Sequence, residues 1–307
     1  MWVTAAVVVV AVAASVTAWV QGRVIDGCRG GTDELTVASA AFPESETIAE
    51  IYAQMLRING FDVETKLGLG GRDAVLPALS QCSVSVAPDF TGNLLQHLDP
   101  TVTAGSQEQI DAALPAALGN RLVVGAPAPA QDRDALVVMR ATAQKWKLKT
   151  IADLAPHARE VRFAAPPEFG NRPGGLPKLS ATYGLNLAPE AFVPVTYDGT
   201  GEAAVQMLTS GQVTVTTLSS SSAQIKQHDL VVLDDPRNTF AAQHVIPVFN
   251  TRKHSDDAAR VLDAASEKLT TADLQILNNL VTGPENKTPA EAAASWISAK
   301  GLTEAID

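Results

Sequence analysis

The sequence predicts an α/β protein of two lobes with a ligand cleft between them, and three observations carry that expectation. Strands and helices alternate over most of the chain, the pattern of sheets covered by helices. The alternation runs twice, over 37–93 and again over 161–218, and both series end their strands in loops of Ser, Thr, Gly and acidic residues. Extended segments, RLVVG, DALVVMR, LVVLDDP and NTFAAQHVIPVFN, then carry the chain from one series to the other and back.

In the first series VASA is expected as a strand, AFPESET as its loop and IAEIYAQMLRING as a helix. Ile48, Ile51, Tyr52, Met55 and Leu56 recur there at helical spacing, and Asn59-Gly60 supplies a stop. FDVETKL follows as a strand, GLGG as a turn and RDAVLPALSQ as a helix. Ser83 to Val86 is expected to alternate as a short strand leading into APDF, with TGN as its loop. SQEQIDAALPAAL is an amphipathic helix containing Pro115. RLVVG and DALVVMR read as a connecting strand pair, and the alternating Ala and Pro of APAPAQDR stiffen the gap between them. TAQKWKLK is expected as a short helix, and Thr150 as the start of another over IADLA.

The second series reads as strand VRFAA, loop PPEFGNRPGG, helix LPKLSATYG, strand FVPVTY, loop DGTG, helix EAAVQMLTSG and strand VTVTTL. From His254 onward three segments show apolar residues at three- and four-residue spacing, with Thr and Pro at starts. The expected organisation is a signal peptide or membrane anchor over 1–27 and a tether over 28–34. A first lobe then takes 35–130 plus 240–307 and a second 131–239, with hinge crossovers near 126–135 and 234–245. Open α/β sheets bind small molecules at the carboxyl ends of their strands, and two such lobes close about a hinge.

Composition narrows the function. The chain has 307 residues, long enough for two domains, and 46% hydrophobic residues, enough for packed cores. A net charge of −10 with no basic run disfavours nucleic acid. The histidines, His97, His157, His228, His244 and His254, are dispersed without metal-ligand spacing, and neither a nucleophile elbow nor a GxGxxG sequence occurs. Capture of a small-molecule solute is therefore expected, with no catalytic residue, metal or cofactor and no nucleic-acid partner; a bilobal enzyme or sensor is the alternative.

Trp2 to Val20 is an apolar or small-residue run with no charge until Arg23, which fits an export signal or a retained anchor and an extracytoplasmic location. Cys28 follows in VIDGCRGG. One reading makes it a lipoprotein processing site that tethers the protein to a membrane surface; the other pairs it with Cys82, the only other cysteine, in a disulfide. The lipid anchor is the preferred expectation.

FPESETIAEIYAQML, LGG, ALSQCSVSVAPDFTGN, the DLA before a strand, PPEFGNRPGGLPKL with its following YGL, and DLVVLDD occur in one order. Together they resemble the osmoprotectant-binding component of ABC transporters, which captures glycine betaine, choline or carnitine for a membrane permease. The resemblance covers the chain from Leu35 to the C-terminal helices. It implies a type II periplasmic-binding-protein fold, a monomer and a permease partner.

The candidate ligand-binding residues follow from these motifs. The first loop contributes Phe42 and Glu44, and the glycine turn Gly70 and Gly71, where backbone can approach a ligand. PDFTGN contributes Asp89, Phe90 and Thr91, with Phe90 matching a family tyrosine. Arg172 matches a family position and suits a carboxylate or hydroxyl ring. Tyr197 and Asp198 end a strand, Ser219, Ser220 and Ser221 lie at the expected cleft edge, and His244 lies on the returning segment. Quaternary ammonium recognition needs aromatic faces. Tyr52 and Tyr183 sit at core-facing helix positions, while Ala87 and Ser219 stand where relatives carry aromatics and Ala40 where many carry a lysine. The cleft is therefore expected to be wider and more polar than in those relatives, and a poor host for glycine betaine; the further alternative is a binder of a bulkier, hydroxyl-rich ligand rather than a quaternary amine.

Overall fold

The computed structural model describes residues 28, 31–102, 105–171, 174–196 and 201–306. Two five-stranded mixed sheets organise them. With strands numbered along the chain, the first sheet has the order β2-β1-β3-β10-β4 and the second β7-β6-β8-β5-β9.

In the first sheet β1 (Glu34–Ala38) pairs in parallel with β2 (Asp62–Lys66) and with β3 (Val86–Phe90). The returning strand β10 (Val245–Asn250) runs antiparallel to β3 and to β4 (Leu122–Val124). The period-two side-chain pattern of β10 feeds two cores. Val245 and Phe249 face helices α1 (Pro43–Ile58), α9 (Asp256–Lys268), α10 (Thr271–Thr282) and α11 (Pro289–Ala299). Ile246 and Val248 face α2 (Arg72–Ser80), α3 (Thr91–Leu98) and α4 (Gln107–Leu118).

The second sheet repeats the plan. Here β6 (Phe163–Ala165) pairs in parallel with β7 (Phe192–Pro194) and β8 (Val215–Ser219), and β5 (Asp134–Met139) runs antiparallel to β8 and β9 (Leu230–Val232). Leu136 and Val138 pack on one side and Val137 on the other. Its helices are α5 (Arg140–Trp146), α6 (Leu176–Tyr183), α7 (Glu202–Thr209) and α8 (Ala223–Gln227). IADLA forms a 3-10 turn, Ile151–His157, whose Thr150 and Asp153 make a reciprocal capping box.

Several local expectations are corrected. The first helix begins at Pro43, so most of the expected loop AFPESET is its first turn; proline at the first helical position needs no N–H partner. TGN is likewise the start of α3, and Ser83–Ser85 form a turn before β3 rather than a strand. RLVVG and DALVVMR do not pair: β4 closes an edge of the first sheet and β5 belongs to the second.

The chain passes between the sheets over 125–133 and returns over 233–244. The two passages run side by side, since the Ala128 N–H donates to Val245 O at 2.8 Å, Val245 N–H to Ala130 O at 3.0 Å and Asp132 N–H to Gln243 O at 3.0 Å. Gly92 sits tight against the return passage, where an added Cβ would run into Ala242 O. Gly92→Ala is expected to destabilise the protein by about 2 kcal/mol through overpacking. Urea denaturation midpoints for the two proteins check this.

The preferred lipid-anchor reading is also corrected. Cys28 and Cys82 form a disulfide with a Cα–Cα distance of 4.9 Å, and a sulfur bonded to sulfur is not available for a lipid thioether. Among the described residues no helix is long and apolar enough to cross a membrane; the run from Trp2 to Val20 lies outside them.

Candidate functional site

A cavity of about 300 Å³ opens at the carboxyl ends of β1 and β3, lined by Ala40, Phe42, Gly70, Gly71, Arg72, Asp89 and Phe90 among others. Two loops make its rim and are laced together. Ala41 N–H donates to Gly70 O at 2.9 Å, Leu69 N–H to Ser39 O at 3.1 Å and Gly68 N–H to the Ser39 hydroxyl at 2.9 Å. Gly70 has φ +121°, a conformation that side-chain-bearing residues rarely adopt, so the turn needs glycine there. Phe42 is 40% exposed at the mouth, whereas the Phe90 ring is 6% exposed and is shared between the cavity and the core under α1.

Three helices begin at this cavity. Phe42, Gly71 and Phe90 are the N-caps of α1, α2 and α3, and none supplies a side-chain cap. Uncapped N-termini direct partial positive charge toward their ends. Arg72, the first residue of α2, adds a full charge. It holds Asp89 side-on, with Nη2 donating to Oδ1 at 2.6 Å and Nε donating at 2.9 and 3.1 Å to the two oxygens. The Phe90 N–H donates to the same carboxylate at 2.7 Å. Asp89 thus engages both the Arg72 guanidinium and the Phe90 N–H. Ala87, at a position where relatives carry aromatics, lies in the core beneath α2 and α3.

A second polar cluster joins the lobes. Glu44 is buried in the first turn of α1, where Asn278 of α10 donates to its Oε2 while Oε1 has no hydrogen-bond partner among the described residues. Asn278 also donates to Ser221 O at 3.0 Å, and the Ser221 hydroxyl donates to Asp132 Oδ1 at 3.0 Å. Burial, reinforced by the neighbouring Asp132 charge, pushes the Glu44 carboxyl up to about 8. Burial likewise raises Asp132 to about 6, against the opposing Ser221 hydrogen bond and with help from Asp134.

The remaining expected ligand residues divide. Thr91 is buried and bonded to the chain itself: its hydroxyl accepts the His244 N–H at 3.1 Å and its N–H donates to His244 O at 3.0 Å. His244 Nδ1 lies on Ala128 O, so both residues fasten the first sheet to the paired passages. Ser219 and Ser221 share a hydrogen bond of 2.8 Å. Ser220 turns the other way, donating to Gln131 O at 2.9 Å and lining a separate cavity of about 250 Å³ with Arg133, Asp235, Thr271 and Gln275. The serine run therefore clamps the lobe junction. Arg172, Tyr197 and Asp198 lie outside the described residues. Tyr52 and Tyr183 are in the cores, as their helix positions imply.

Arg72, Asp132 and Asn278 escaped the reading of the sequence. Only Arg72 left a trace there, as a lone cation directly after a glycine pair at a strand-to-helix turn. Among the described residues no three His, Cys, Asp or Glu side chains converge as metal ligands.

Two mixed sheets joined by paired passages, with a cavity at the strand ends, define a bilobal solute-binding protein of the type II periplasmic class. The chain belongs to the family of substrate binding domains of ABC-type glycine betaine transport systems, whose model matches residues 33–299. It is similar to a glycine-betaine-binding protein of Pseudomonas aeruginosa, at 26% identity over 279 residues, covering 86% of this chain and 87% of that one. The glycine betaine-binding protein YehZ of Escherichia coli is 25% identical over 280 residues, covering 87% and 91%. Among solved structures, a glycine betaine/carnitine/choline ABC transporter protein matches with a TM-score of 0.79, covering 88% of this chain and all of that one; at 18% identity this likeness concerns the fold. The protein is thus a substrate-binding component of an ABC transport system. Such components act outside the cytoplasm, bind small solutes and work with a permease.

Proposed function

We propose that the protein is an exported, monomeric receptor that captures an osmoprotectant-like solute at the cavity under Phe42 and Phe90 and closes the second lobe over it. Closure uses the passages near 126–135 and 234–245 as hinge, and the 35–130 plus 240–307 and 131–239 segments move as lobes. No catalysis or nucleic-acid contact belongs to this role. The observation that carries the reading is the cavity itself: aromatic faces, glycine backbone and an oriented guanidinium meet where three helices begin. The names of the relatives point to glycine betaine as the solute class. With alanine at position 40, and 300 Å³ of space, a bulkier zwitterion is the better occupant and glycine betaine the weaker one.

A solute that binds only the folded form raises the melting temperature. In a panel of glycine betaine, choline, carnitine, proline and sugars, carnitine-sized solutes are expected to give the largest increase. Phe90→Ala is expected to weaken binding at least tenfold by removing one wall. A panel without any shift would sink the receptor reading, and release of a product would favour the enzyme alternative.

A further inference from the structure

The guanidinium of Arg72 is only partly committed. Its side-on edge, Nε and Nη2, faces Asp89 at 2.6–3.1 Å. A guanidinium carries five N–H donors in a plane, so the end-on edge, Nη1 with the second N–H of Nη2, remains able to take another carboxylate in bidentate fashion. Among the described residues no hydrogen bond engages Nη1. The side chain is 29% exposed and lines the cavity, while its partner Asp89 is 8% exposed and further tied by the Phe90 N–H. The fork is thus held in one orientation before any solute arrives, which lowers the entropy lost on binding.

The surroundings select the ligand's chemistry. Among the described residues Arg72 and Asp89 are the only charged ones lining the cavity, and they neutralise each other. A bare anion meets an acidic protein of net charge −10, whereas a zwitterion adds no net charge. Phe42 and Phe90 offer faces to a methylated cation or a ring. We propose that Arg72, oriented by Asp89, is the carboxylate anchor of this cavity, and that its solutes are carboxylate-bearing zwitterions rather than carboxyl-free quaternary amines. The proposal rests on the cavity being the solute site.

Titration calorimetry with paired probes tests it. Carnitine and its methyl ester carry the test, and glycine betaine and choline repeat it on a smaller frame. The free carboxylate member of each pair is expected to bind at least tenfold more tightly than its partner. Because removing Arg72 alone leaves Asp89 buried and unpaired, the variant is the double Arg72→Gln/Asp89→Asn, with Arg72→Lys as a second that keeps charge but loses the fork. Both are expected to lose at least tenfold in affinity for carnitine and to leave the methyl ester within twofold, while Phe90→Ala weakens both members. Equal binding of the paired probes, or equal loss of both in the double variant, overturns the anchor while leaving the site in place. If Phe90→Ala and the double variant leave every affinity unchanged, the cavity is not the solute site and both readings fall. Absence of binding by every probe has the same consequence.

Discussion

Cys82→Ser is expected to lower the melting temperature by roughly 10 °C, the largest single effect foreseen for a residue outside the cavity. The disulfide closes a loop of 54 residues that contains β1, α1, β2 and α2. Opening a loop of that length returns conformational freedom to the unfolded chain worth on the order of 4 kcal/mol. Cys28→Ser should match it, because either change opens the same loop, and Cys28→Ser leaves Cys82 in place at its positive φ of 60°. Scanning calorimetry with and without reductant measures the effect, and thiol titration of the denatured protein should find no free cysteine. A melting temperature insensitive to reductant and to both substitutions, or a Cys28 carrying lipid, would remove the disulfide from the account.

Glu44→Gln is expected to raise the melting temperature at pH 8 by about 5 °C or more while leaving it nearly unchanged at pH 5. In the fold the Glu44 carboxyl holds its proton up to about pH 8, chiefly because of burial and then because of Asp132. In the unfolded chain it releases the proton in the ordinary carboxylate range. The folded protein therefore binds more protons between those limits, so stability is greatest below the window and falls as pH rises through it, levelling off above about pH 8. Asp132 adds a similar fall that ends near pH 6. The combined loss is on the order of 3 kcal/mol or more. Glutamine keeps an acceptor for Asn278 and removes the Glu44 titration, so its stability should be flat between about pH 6 and pH 8, where that of the parent still falls. Parallel pH profiles for the two proteins would contradict the assignment. The cluster spans both lobes through Ser221 and Asn278, so the same variant should alter how the lobes close as pH rises.

The cavity was only half legible. Phe42, Gly70, Gly71, Asp89 and Phe90 converge there, and all five stand in ordered motifs at strand ends. Their roles were not readable, since Asp89 as a bare acid gave no sign that Arg72, 17 residues earlier, would claim its oxygens. Thr91, His244 and Ser220 look like ligand groups in sequence because they are polar and flank the site. In the structure their hydrogen bonds go to backbone at His244, Ala128 and Gln131, where two chain passages must be fastened.

Helices and strands were legible because their signals are local. The strand character of the segment leading into β10, helical spacing in α1 and the start signal at Thr150 each act within a few residues, and each appears where the pattern stands. The same locality explains the early starts of α1 and α3. Their first turns are polar loops by composition, and only tertiary packing buries Glu44, Ser45 and Thr91 and so extends the helices back to Phe42 and Phe90. Local signals in the chain thus suffice for the order of elements and for the family pattern. Tertiary structure decided the Cys28–Cys82 pairing, the division of β4 and β5 between two sheets and the contact between Arg72 and Asp89. Those depend on long-range burial and on which backbone groups lack a neighbour to satisfy them, and neither is encoded within the reach of a single helical turn or strand.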